Sequence, residues 1–119
     1  MSRNMIDAAA CREIIRTYER HGWILRRVLL TASLRKSLGS KTSALFGLFG
    51  SVQIIDSSID AAWFSRRPQT GEIAWEIRHL SETPFALIEY ADESAGDFEE
   101  KLREVANRLT KTVRKKRKT

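Results

Sequence analysis

The sequence predicts an α+β domain, an antiparallel sheet of about four to five strands with an N-terminal and a C-terminal helix packed on it. Three observations carry this expectation. Apolar residues recur at helical spacing near both ends of the chain, at Ala8, Cys11, Ile15 and Tyr18 and again at Phe98, Leu102, Val105, Leu109 and Val113. Between them, Glu72 to Arg78 alternates strictly, with Ile73, Trp75 and Ile77 to one side and Glu72, Ala74, Glu76 and Arg78 to the other. The apolar runs of the middle third are joined by short loops, which favours an antiparallel meander.

The first helix is expected from about Met5 to His21. Asn4 is a candidate N-cap, Asp7 suits the positive end of the helix dipole, and Gly22 fits the left-handed position beyond the last turn. Trp23 to Thr31 reads as a strand, rich in Trp, Ile, Leu and Val. Ser33 to Leu38 reads as a short helix or turn closed by Gly39. In Lys41 to Gly50 a helical face is opposed by Gly47 and Gly50, so the segment is ambiguous.

Val52 to Asp56, Ile59 to Arg66, Glu72 to Arg78 and Phe85 to Ala91 are expected strands, with Pro68-Gln69-Thr70-Gly71 a turn. Ser94-Ala95-Gly96-Asp97 resembles a capping box, with Asp in the position of Glu, ahead of the second long helix. The two long helices are expected to cover one sheet face and leave the other partly open.

The 119 residues suit one domain, set at residues 1–113, with 114–119 as a basic disordered tail after the last apolar residue, Val113. A domain this size buries roughly two-thirds of its unfolded surface, enough for a core without disulfides or metal. Cys11 is the single cysteine, so no intramolecular disulfide forms and a reducing, cytoplasmic setting is expected. Asp7 and Glu13 interrupt the first apolar stretch, which does not read as a signal peptide. No apolar run approaches the roughly 20 residues of a membrane span.

Charge is unevenly placed. Residues 1–41 hold nine Lys/Arg against three Asp/Glu, residues 42–109 hold six against twelve, and residues 110–119 hold six against none. The net charge of +6 therefore resides in the last ten residues. Arg114, Lys115, Lys116, Arg117 and Lys118 are consecutive cations, a run that attracts phosphate backbones or another polyanion. Arg26 and Arg27 are weaker additions to the same expectation, within a first third that also carries Arg12, Arg16 and Arg20 on one helical stripe. That stripe is read first as the exposed face of an amphipathic helix.

Leu45, Phe46, Leu48 and Phe49, among flexible glycines, are candidate contacts with a second copy or a partner if exposed, and core residues if not. Gly39-Ser40-Lys41-Thr42 lacks the glycine that a phosphate-binding loop needs directly before its lysine. His21, His79 and Cys11 have no metal-ligand spacing, and no cofactor is expected.

Asp60 at the start of a strand, followed by Glu76-Ile77-Arg78 on the next, resembles the PD-(D/E)xK nuclease pattern. The resemblance implies an Asp and a Glu sharing Mg²⁺, with Glu13 or Glu19 as a further acid. Arg78 departs from the pattern, because guanidinium cannot exchange a proton as the expected Lys does, and a strand follows where the family places a helix.

The leading expectation is a non-enzymatic interaction module with low-specificity affinity for nucleic acid or another polyanion, such as an acidic protein, through its basic tail. A Mg²⁺-dependent nuclease using Asp60 and Glu76, and a homodimeric adaptor, are the alternatives. The mix of elements also resembles roadblock-type adaptors and profilin-like domains.

Overall fold

A computed structural model describes residues 6–67 and 73–117, with side chains through Lys115. The elements run α1 (Ala8–Arg20), β1 (Ile24–Leu30), α2 (Ala32–Leu38), α3 (Lys41–Gly47), β2 (Gln53–Asp56), β3 (Ala61–Arg66), β4 (Ile73–His79), β5 (Ala86–Ala91) and α4 (Phe98–Arg117). This is the α+β class, with one five-stranded, mostly antiparallel sheet flanked by an N-terminal and a C-terminal helix. No helix of the described residues is long and apolar enough to cross a membrane.

The strand order is β2-β1-β3-β4-β5, and only β3-β4-β5 is the expected meander. β2 pairs parallel to β1, with Arg27 level with Gln53 and Leu30 with Asp56. A parallel pair needs a crossover, which α2 and α3 supply. The ambiguous segment Lys41 to Gly50 thus resolves as helical up to Gly47 and forms part of that connection.

The helices do not share one face. The α1, α2 and α3 side chains Ile15, Leu34, Leu45 and Phe46 pack with Leu25, Val28, Ala62 and Phe64 on one side of the sheet. Leu102, Val105, Leu109 and Val113 of α4 pack with Trp63, Trp75 and Ile77 on the other. The alternation in β4 dictates this. Its apolar row meets α4, while Glu76 and Arg78 point toward the α1 side. The α1–α3 layer does not extend over β5, where Ile88 and Tyr90 are 52% and 56% exposed.

Local signals explain the element ends. The N-cap of α1 is Asp7 rather than Asn4, its carboxylate accepting from the Ala10 amide at 2.8 Å; Asn4 lies outside the described residues. At the other end the Gly22 amide bonds to the Glu19 carbonyl and the Trp23 amide to the Tyr18 carbonyl, a Schellman closure that needs the positive φ of Gly22 (86°). The expected capping box before α4 does not form. The Ser94 amide and hydroxyl both bond to the Asp92 carboxylate, at 2.9 and 2.7 Å, and hold it below its ordinary pKa. The Pro68–Gly71 turn lies outside the described residues.

Beyond Val113, where the sequence places the end of the domain, α4 continues as helix to Arg117.

Candidate functional site

The basic segment is built on α4. Its apolar stripe anchors one side of the helix through Val113, the last buried residue among those described. Acidic Glu99 and Glu100 occupy the first turn, and Glu104 is the last acidic residue of the chain. Arg108, Lys111, Arg114 and Lys115 follow, all exposed. This order complements the helix dipole, with carboxylates at the positive end and cations at the negative end. Among the described residues, Arg108 alone of these meets a carboxylate, Glu89 on β5 at 3.3 Å. Arg108, Lys111 and Lys115 fall three and four residues apart, so they share one helix face over about 10 Å. Lys116 and Arg117 continue the helical backbone, and Lys118 lies outside the described residues.

Arg26 and Arg27 do not join this surface. A β-bulge inserts Arg26 into β1, between Leu25 opposite Phe64 and Arg27 opposite Trp63. The bulge brings both guanidinium groups over the Trp75 ring, 5.2 and 5.8 Å from its centroid. Arg27 also makes a two-pronged pair with Glu99 at 2.8 and 2.7 Å, and Arg26 lies 3.6 Å from Glu93. Arg27 holds the Glu99 carboxyl below its ordinary pKa. The groove they line, of about 680 Å³, also touches Val52, Gln53 and Phe98. It sits at the start of α4, and Arg117 lies eighteen residues beyond Glu99, about 27 Å along the helix. Their charges are spent on neighbouring carboxylates at the acidic end of the molecule.

Asp60 and Glu76 are not brought together. The Leu80 amide bonds to the Asp60 carbonyl, so Asp60 is level with Leu80 in the β3-β4 ladder. Glu76, opposite Phe64, is four residues away, about 13 Å along the strand. Each carboxylate has a structural partner. Asp60 accepts from the Thr31 amide at 2.7 Å and from the Thr31 hydroxyl at 3.3 Å. Thr31 in turn caps α2 by accepting from the Leu34 amide at 3.1 Å.

Glu76 accepts the hydroxyl of Tyr18, whose ring stacks on Phe64 with centroids 4.1 Å apart. Burial and the Glu76 carboxylate push the Tyr18 pKa upward. Arg78 donates to the carbonyls of His79, Ser81 and Thr83, and so closes the β4-β5 loop. Glu13 and Glu19 are exposed on α1. No group of three or more His, Cys, Asp or Glu able to hold a metal ion occurs among the described residues.

Leu45 and Phe46, candidates for an interface, are core residues at 2% exposure, and Phe49 is packed against the same cluster. The helical turn of α3 points both inward, and Leu48 is left at the surface. Cys11 is buried, and desolvation together with Asp60 and Asp7 pushes its thiol up to about 12, which makes it inert rather than nucleophilic. His21 lies with Nδ1 2.8 Å from the Thr17 carbonyl, in the closing turn of α1.

The tail and its cations were legible in the sequence, whereas the Arg26–Arg27–Trp75 cluster was not. A bulge has no dependable sequence signature, and the alternation of β1 gives no sign that consecutive residues share a face. Compared with protein-family models, characterised proteins and solved structures, the chain matches none.

Proposed function

We propose that this chain is a non-enzymatic module that binds nucleic acid through the cationic final turns of α4. The observation that carries the reading is the continuation of α4 past Val113. The helix runs on beyond Val113, its last core contact among the described side chains, and every charged residue after Glu104 is a cation. Cations held on a helical extension present a fixed spacing to a phosphate backbone, at lower ordering cost than a flexible tail. The counterions they release supply the affinity, and phosphate contacts carry no sequence information. Affinity is therefore salt-sensitive and nearly independent of base sequence.

The folded part serves as the anchor for α4. Both carboxylates of the nuclease-like pattern are engaged within the fold, at Thr31 and Tyr18, and contribute nothing to this reading.

The test is the combined substitution Lys111→Gln, Arg114→Gln and Lys115→Gln, assayed by fluorescence anisotropy on a labelled duplex. Three lost phosphate contacts flatten the log Kobs against log salt slope by about 2.7 for B-form DNA. An unchanged slope would refute the assignment. Equal binding of an acidic polypeptide at matched charge would move it from nucleic acid to acidic proteins.

A further inference from the structure

β5 is an edge strand whose one protective feature is a single charge, Glu89, on the face toward α4. Among Ala86–Ala91 there is no Pro, no Lys and no bulge, and the register against β4 runs unbroken from Arg78–Ala86 to Ile73–Ala91. The opposite edge, β2, is only four residues long and bears Gln53 and Asp56 at its ends.

The ladder fixes which backbone groups are free to pair. The His79 amide bonds to the Phe85 carbonyl, so by antiparallel alternation Phe85, Leu87, Glu89 and Ala91 bond inward to β4. Ala86, Ile88 and Tyr90 turn their N–H and C=O groups outward, and their side chains stand exposed on the sheet face away from α4.

We propose that β5 pairs antiparallel with β5 of a second copy, about a two-fold axis through Ile88. This register sets Ile88 against Ile88 of the other copy and Tyr90 against its Ala86, a large side chain beside a small one. All three outward residues then exchange hydrogen bonds, about six in total. The competing registers are poorer. Centring on Glu89 sets two carboxylates directly opposite, which is destabilising. Centring on Leu87 sets Tyr90 against Pro84, which has no N–H to give.

Charge argues for the same partner. α4 packs over β4 and β5, so the two-fold lays the two α4 helices antiparallel on one side of the joined sheet. Through Glu104 the helix carries three carboxylates against two cations, with Glu99 already paired to Arg27, and from Arg108 onward its charges are all cationic. The two-fold therefore lays Glu100 and Glu104 of each copy toward the cationic half of the other. A ten-stranded sheet results, and Ile88 and Tyr90 of the two copies become lateral neighbours on one face of it.

Sedimentation equilibrium on the full chain tests this at high micromolar concentration. The expected mass is twice the 13.6 kDa of the chain. Ile88→Lys and Tyr90→Lys reduce it to the single-chain value with the far-UV spectrum unchanged, whereas Leu48→Lys, at an exposed apolar position that closes α3, leaves the dimer intact. Should Ile88→Lys fail to fold, Tyr90→Lys decides.

A second measurement reads the register. In a hydrogen-bonded pair the Cα atoms are about 5.5 Å apart, within disulfide reach, so Ile88→Cys gives a covalent dimer on oxidation and Leu48→Cys does not. A monomeric parent chain, a dimer that survives both β5 lysines, or a dimer abolished by Leu48→Lys would overturn the proposal.

Discussion

Replacing Asp60 with alanine separates a structural carboxylate from a catalytic one. Asp60 holds the Thr31 amide at 2.7 Å and orients the Thr31 hydroxyl that caps α2. A hydrogen bond to a charged acceptor contributes about 1.5–3 kcal/mol, and a well-made N-cap about 1 kcal/mol. The Thr31 site is half-buried, so water recovers part of the lost bond, and the net cost is about 2 kcal/mol.

For a domain of this length each kcal/mol lowers Tm by about 3–5 °C, so Asp60→Ala should melt about 6–10 °C below the parent. Asp60→Asn keeps an uncharged acceptor and should lose about half as much. Circular dichroism melts at neutral pH read both values. A Tm for Asp60→Ala within about 1 °C of the parent would refute the assignment, because a carboxylate doing structural work cannot be removed without loss.

Burial raises the pKa of Tyr18 above its ordinary 10.0 and that of Cys11 above 9.0. A raised acid pKa contributes stability that is whole below the unfolded value and is lost as pH climbs above it. Tm should hold up to about pH 9 and decline above it. Tyr18→Phe should cost about 1 kcal/mol at neutral pH and flatten the decline above pH 10; parallel declines in the two proteins would contradict this. Ending the chain after Leu109 removes the buried side chain of Val113, about 1.5 kcal/mol and roughly 5 °C in Tm, whereas ending it after Val113 should leave Tm within about 2 °C.

What the sequence made legible was local. The alternation of Ile73, Trp75 and Ile77 predicts both β4 and its buried face, and the apolar stripes of α1 and α4 predict which side of each helix is covered. Gly22 marks the end of α1 because only a residue tolerant of positive φ closes that turn without strain.

What escaped was non-local. The parallel pairing of β1 with β2 depends on how α2 and α3 carry the chain across the sheet, and no periodicity in Val52 to Asp56 encodes direction. The division of helices between two faces likewise follows from that crossover. At the candidate sites, nothing in the polar row of β4 tells that α1 supplies Tyr18 to cover Glu76. Ser94 had the spacing of a cap, but Asp92 lies nearer and captures its hydroxyl.

The most direct test of the polyanion reading compares the full chain with residues 1–113 on a labelled duplex of about 20 base pairs across a salt series. The shorter chain keeps Val113 and the whole core but lacks Arg114, Lys115, Lys116, Arg117 and Lys118. If all five contact phosphates, the full chain binds with a log-log salt slope steeper than that of the shorter one by about 4.5, and the shorter chain loses most of its low-salt affinity. Equal affinity and equal slope for the two chains would contradict the account and place any nucleic-acid contact on the folded domain.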